Sequence, residues 1–246
     1  MNGSFVLCGR GVRKIRRNPE YLVDVTVQPT LFLVMFGYLF GGAIAGNQAA
    51  YLANLVPGLL VPTVLLASMA AGAGLNADLA TGVFDRFRSM PIPRFAPLVG
   101  AVLADVVRYL IAFVVLLGVG TAMGYRIHSG PIEVLAAAGV LVVTGLSFCW
   151  ITVYIGMVAR RADSVQGVAV AVFMPFIFAS NVFVPSHTMP GWLRSWSEIN
   201  PVSLLTDVMR GLLNGQPVSL VGGAVWLAAI ALVFFPLAMR AYHKRV

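Results

Sequence analysis

Apolar residues in this chain gather into long runs, and the runs are separated by short polar or charged stretches. Six runs stand out, at about 22–45, 52–75, 97–125, 132–159, 164–184 and 218–239. Each is at least as long as the roughly 20 residues that a helix needs to cross the hydrocarbon core of a bilayer. No period of two runs through them, so the pattern predicts helices rather than strands. The predicted fold is an all-α polytopic membrane protein with six transmembrane helices in one domain.

Three segments outside the runs carry their own pattern. Residues 5–17 place Arg10, Arg13, Lys14 and Arg17 on one helical face and Phe5, Cys8, Val12 and Ile15 on the other. Such a helix lies in the headgroup plane with its basic face toward anionic lipid. A signal peptide is the other reading, but the apolar run that follows is too long for one. Between the second and third runs, Val83, Phe87 and Met90 form an apolar stripe, with Phe84 beside Val83 and Asp85, Arg86 and Arg88 off it. Pro91 and Pro93 stop that helix. It reads either as an aromatic ridge for another protein to grip or as a solvated loop. In the third segment, 185–217, Asn200 followed by Pro201 reads as an N-cap and first helical position. An apolar stripe from Leu204 to Leu212 follows, with Asp207 and Arg210 on the other side. Trp192 and Trp196 upstream suit an interfacial turn. Two short helices dipping into the membrane surface are expected there.

Inside the runs, Asp105 and Arg108 share one helical face at i and i+3. Ionisable groups in a span are costly and face protein or a water-filled cavity. The pair is either a structural couple or a relay or substrate contact. Phe173, Phe176 and Asn181, around the kink expected at Pro175, are candidate pathway-lining positions; packing or lipid contact explains the aromatics equally well.

Composition agrees with this picture. The 246 residues are 59% hydrophobic and only 11% charged, against roughly 25% charged in soluble domains. The net charge of +8 reflects loop and terminal anchors, so it does not indicate nucleic acid. With six alternating spans and both termini cytoplasmic, thirteen basic residues fall inside, three (Arg126, Arg194 and Arg210) fall outside, and Arg108 lies in a span. The positive-inside rule selects that orientation. Lys14 and Lys244 are the only lysines, a bias that suits a GC-rich bacterial genome.

Catalytic signatures are absent. Neither lysine sits in a Gly-x-x-x-x-Gly-Lys phosphate loop, and no His-Glu-x-x-His or Gly-x-Ser-x-Gly occurs. Cys8, Cys149 and the three histidines have no metal-ligand spacing, so no metal site is expected.

Three segments carry a family resemblance: Gly-Val-Phe-Asp-Arg-Phe-Arg-Ser-Met-Pro-Ile at 82–92, Ala-Asp-Val-Val-Arg at 104–108, and Asn-Pro-Val-Ser-Leu-Leu-Thr-Asp-Val-Met-Arg-Gly-Leu at 200–212. With them the chain resembles the membrane subunits of bacterial type-2 ABC exporters, the daunorubicin-resistance type of drug and lipid permeases. The resemblance implies a non-catalytic permease in the bacterial cytoplasmic membrane that exports a lipophilic drug, antibiotic or lipid. It implies two copies of a separate ATPase subunit, which bind the ATP and Mg, and a second permease as homodimer or heterodimer. It makes 5–17 an interface helix and 77–90 a coupling helix, with Phe84, Asp85, Arg86, Phe87 and Arg88 contacting the ATPase. It makes 185–217 a re-entrant pair that includes Asn200, Pro201, Asp207 and Arg210. An ion- or proton-coupled secondary carrier, or a non-transporting scaffold, remains the alternative.

Overall fold

The computed structural model describes residues 20–45, 47–81 and 96–245. The amphipathic segment 5–17 and most of the segment 77–90 lie outside them. Among the described residues every regular element is helical: α1 (Glu20–Ala45), α2 (Gln48–Ala67), α3 (Met69–Ala80), α4 (Ala96–Ala122), α5 (Pro131–Val158), α6 (Ala162–Phe178), a 3-10 turn (Ser186–Thr188), α7 (Gly191–Ile199), α8 (Pro201–Asn214) and α9 (Val221–Arg245). Five of these stretches are long and apolar enough to cross a membrane, with α2 and α3 forming one of them together.

The α2–α3 rod is the centre of the bundle. Over its most apolar 18 residues 89% are buried, against 22% over those of α9. Around the rod stand α1, α4, α5, α6 and α8. Leu52, Leu55, Val56, Leu59 and Leu60 on α2 meet Leu116 of α4, Leu141 of α5 and Met209 of α8 in the main core. A smaller core at the other end joins Ala71 and Leu75 of α3 to Cys149 and Val153 of α5 and Tyr242 of α9. Lipid tails are as apolar as leucine, so such cores hold by close packing rather than by exclusion of water. The connections α1–α2 and α4–α5, with α7 and α8, lie at one end, the upper end; the α5–α6 turn and the ends of α3 and α9 lie at the other, the lower end.

Several boundaries differ from those the hydropathy pattern predicts. The second span starts at Gln48, because the Asn47 side chain caps the helix by accepting from the Ala50 N–H at 2.7 Å. It continues to Ala80, so residues 77–80 finish this rod rather than begin a separate helix. The fifth span, expected at 164–184, is a helix of 17 residues that ends at Phe178. Residues 179–184 are as apolar as the helix before them but form turns, and their backbone is bonded from α8. Residues 185–217 hold the 3-10 turn, α7 and α8, and the last helix begins at Val221. Asn200 caps α8 with its side chain, Pro201 starts it, and Gly215, in the left-handed region at φ +69°, ends it.

Candidate functional site

The rod is interrupted once, at Ser68. The Ala71 N–H donates to the Ser68 carbonyl at 3.2 Å, one residue nearer than in an α-helix. Carbonyls around such a break need donors from elsewhere, since lipid offers none. Here the Ser68 hydroxyl donates back to the Leu65 carbonyl at 2.7 Å, and the Thr152 hydroxyl of α5 donates to the Ser68 carbonyl at 2.8 Å. Arg108 of α4 donates to the Ala67 carbonyl at 3.2 Å and, from the same nitrogen, to Asp105 at 2.9 Å. Both side chains of this pair are buried, 3% and 6% exposed. One turn along α4, the Tyr109 hydroxyl donates to the Gly145 carbonyl at 3.3 Å, which ties α4 to α5 as well.

Below the break, α3 and α5 touch backbone to backbone. A Cβ on Gly72 would run into the Thr152 carbonyl, and a Cβ on Gly156 into the Gly72 carbonyl. Small residues permit this approach. One turn on, the buried amide of Asn76 donates to the carbonyls of Gly156 at 2.8 Å and Ala159 at 2.9 Å. Both lie at the end of α5, where no further helical turn supplies donors.

The upper half of the rod is held differently. Pro57 has no N–H, so the Ala53 carbonyl loses its helical donor. Asn214 of α8 supplies one at 2.9 Å, and Arg210 donates to the neighbouring Asn54 carbonyl at 3.2 Å. Arg210 also donates to the Asn181 carbonyl at 2.7 Å and to Asp207 at 3.1 Å, and the Asn181 amide donates to both oxygens of Asp207. Tyr125 donates to the Asn214 side chain at 2.8 Å; burial pushes its phenol up to about 12, so it keeps that proton at neutral pH. Asn200 has a double role. Its carbonyl oxygen accepts from the Val202 N–H, and its amide donates to the Phe176 and Ala179 carbonyls at the end of α6.

The sequence-derived candidates therefore divide. Asp105 with Arg108, and Asn200, Pro201, Asp207 and Arg210, lie in the two polar assemblies along the rod. Phe173 is buried edge-on to Phe148, Phe176 packs on Trp196, and Asn181 is bonded to Asp207, so all three face the interior of the subunit. A cleft of about 50 Å³ between α1, α2 and α6 is lined instead by Gln28, Phe32, Pro62, Thr63, Phe178 and Phe183 among others. A second, mostly apolar crevice of about 460 Å³, with Ser147 in its lining, lies between α5, α8 and α9. Arg10, Arg13, Lys14 and Arg17, and Phe84, Asp85, Arg86, Phe87 and Arg88, are outside the described residues. Sequence reasoning missed Ser68, Asn76, Thr152 and Asn214. For Asn214 a signal existed: Pro57 announces an orphan carbonyl at Ala53 and hence a donor to be found. For Asn76 and Thr152 the partners are backbone atoms of another helix, which no side-chain pattern marks.

Comparison with known proteins adds a family match and three relatives. Residues 4–214 match the ABC-2 type transporter family. The chain is 37% identical over 238 residues to the daunorubicin resistance ABC transporter permease protein DrrB1 of Streptomyces coeruleorubidus, covering 96% of this chain and 84% of that protein. It is 27% identical over 215 residues to the probable doxorubicin resistance ABC transporter permease protein DrrC of Mycobacterium tuberculosis, covering 86% and 78%. A putative transport permease, ycf38 of Cyanophora paradoxa, is 26% identical over 216 residues, covering 85% and 73%.

Proposed function

The chain belongs to the ABC-2 type transporter family, and on that premise we propose that it is the permease half of an ATP-driven drug exporter. The observation that carries this reading is the 37% identity, over 96% of the chain, to a relative named as a daunorubicin resistance permease. The protein is a multi-pass membrane protein. In this reading it crosses the bacterial cytoplasmic membrane six times, with α6 and the turns after it making the fifth crossing. The lower end and both termini face the cytoplasm, and α7 and α8 form a re-entrant cap outside. ATP and Mg bind two copies of a separate ATPase subunit, and a second permease subunit completes the pathway. The cargo is lipophilic, a drug, antibiotic or lipid. Phe173, Phe176 and Asn181 are already engaged within the subunit.

Within this reading the segment 77–90 docks on the ATPase subunit, and Phe84 and Phe87 are its anchors, with Asp85, Arg86 and Arg88 setting its orientation. Arg10, Arg13, Lys14 and Arg17 hold an interface helix on the headgroups. The rod connects such a segment to the upper end, since α3 runs into it directly from the buried α2. The test co-expresses the chain with its ATPase subunit and measures ATP-dependent daunorubicin efflux from cells. Phe87→Ala is expected to leave the permease in the membrane but to weaken ATPase-subunit binding by about 2 kcal/mol, the usual loss for a buried aromatic anchor, and to stop efflux. Efflux that runs on a proton gradient without the ATPase subunit overturns the exporter reading in favour of a secondary carrier.

A further inference from the structure

Asn76 stands apart from the other polar side chains of the rod. It is 3% exposed and lies below the Ser68 break, one helical turn beyond Gly72 on the same face of α3. Its amide serves the end of a different helix: both of its bonds go to the terminal carbonyls of α5, at Gly156 and Ala159. The residues that follow, Arg160 and Arg161, form an exposed basic turn. A side-chain cap normally comes from the helix's own flanking residues or from water. Here it comes from α3, the helix that leads directly into residues 82–95. The backbone contact of Gly72 with Gly156 lies one turn away and leaves no side chain to act as a slipping layer between the two helices.

Above Ser68 the fastenings change. The upper half of α2 is bonded to α8 through Arg210 and Asn214. At the break the backbone ladder shifts to a single i→i−3 bond, and the carbonyls of Leu65, Ala67 and Ser68 also take side-chain donors, which reorient at lower cost than a helical ladder breaks. A segment bonded above, a segment bonded below and a side-chain-served joint between them form a hinge with two bodies.

We propose that Asn76 is a positioning residue that fastens α3 to the lower end of α5, so that α3 and the turn at 159–161 move as one body about Ser68 during transport. This rests on the exporter reading above, and it adds to that reading a second cytoplasmic connection that moves with the first. Asn76 is suited to the task because one neutral amide supplies two donors to two adjacent acceptors. An alanine there removes both donors, and an aspartate opposes the two carbonyls with negative charge.

The test uses the permease reconstituted in vesicles with its ATPase subunit and spin labels on Thr81, Arg161 and Gln216. Distances are measured without nucleotide and with ATP trapped by vanadate. The 81–161 distance is expected to stay fixed while each label shifts relative to 216. Asn76→Ala is expected to let 81 and 161 separate, and to cut daunorubicin efflux about tenfold while ATP hydrolysis stays within about twofold, since two hydrogen bonds at the joint are lost and no nucleotide contact is touched. An 81–161 distance that changes in the wild type during ATP-driven efflux overturns the inference alone. So does Asn76→Ala with an unchanged ratio of efflux to hydrolysis. Efflux without ATP, with all three distances fixed, overturns the exporter reading and this inference with it. Should Asn76→Ala lower the yield of folded protein, the wild-type distances still decide.

Discussion

Two aspartate–arginine pairs grip α2 from opposite ends, and they are built alike. Asp105 precedes Arg108 by three residues on α4, and Asp207 precedes Arg210 by three on α8. Each arginine donates to a carbonyl of α2, Ala67 in one case and Asn54 in the other. Those carbonyls are about 20 Å apart along a helix rising 1.5 Å per residue. The surroundings are what differ. The lower pair is 6% and 3% exposed, whereas the upper aspartate is 50% exposed and its arginine 14%. One geometry therefore works in two dielectric settings. In the dry setting the carboxylate is needed to keep a cation tolerable at all. In the wet one water already does much of that, and the aspartate mainly orients its neighbours.

The same substitution made at both pairs should separate these roles. Asp105→Asn keeps an acceptor but removes the charge, and a buried pair broken from one side typically costs about 3–5 kcal/mol. The expected outcome is a large fall in thermal stability in detergent, partly restored by exchanging the residues as Asp105→Arg with Arg108→Asp. A stability equal to wild type for Asp105→Asn would mean that the two pairs do not differ in the way their burial indicates.

A smaller effect sharpens the upper half. Asn214→Ala removes the donor that replaces the N–H lacking at Pro57, and hydrogen bonds between membrane helices average about 0.6 kcal/mol, with about 1.7 at most. Pro57→Ala returns a helical donor to the Ala53 carbonyl. In that background the loss from Asn214→Ala is expected to shrink toward zero. A double-mutant cycle with no coupling between the two sites would separate Asn214 from the proline.

The smallest effect is at Asp207. Asp207→Asn retains an acceptor for Arg210 or Asn181 in a half-exposed position, so about 0.2–1 kcal/mol is expected, as for exposed ion pairs. It should diminish as salt is raised, while the effect of Asp105→Asn should not. A salt-independent loss at Asp207 would make the upper pair as dry as the lower.

How much of this was legible in the sequence follows from what kind of atom each contact uses. The spans, the Asp105–Arg108 spacing and the cap formed by Asn200 with Pro201 were readable, because periodicity, charge and capping chemistry are properties of side chains in order along the chain. The start of α2 at Gln48 was readable too, from Asn47 as a cap, but the apolar run begins later and draws attention from it. The Ser68 break was not. Ala-Ser-Met-Ala-Ala-Gly at 67–72 is compatible with an unbroken helix, and it is the donors brought by α4 and α5 that serve the break. The shortening of α6 was hidden for a related reason. Hydropathy measures only whether a residue tolerates lipid, and residues 179–184 tolerate it whether helical or turned.

Four polar grips on the central rod fall on its main chain. Arg108 takes the carbonyl of Ala67, Thr152 that of Ser68, Arg210 that of Asn54 and Asn214 that of Ala53. Every amino acid carries that oxygen, so the gripping side chains have no counterpart side chain with which to covary. Maps of correlated substitution across relatives should be silent at these four contacts, however strong they are. The same property makes the rod exchangeable. A chimaera that imports another permease's α2 side chains should keep these four grips, provided that the proline at 57 and the break at 68 come with it.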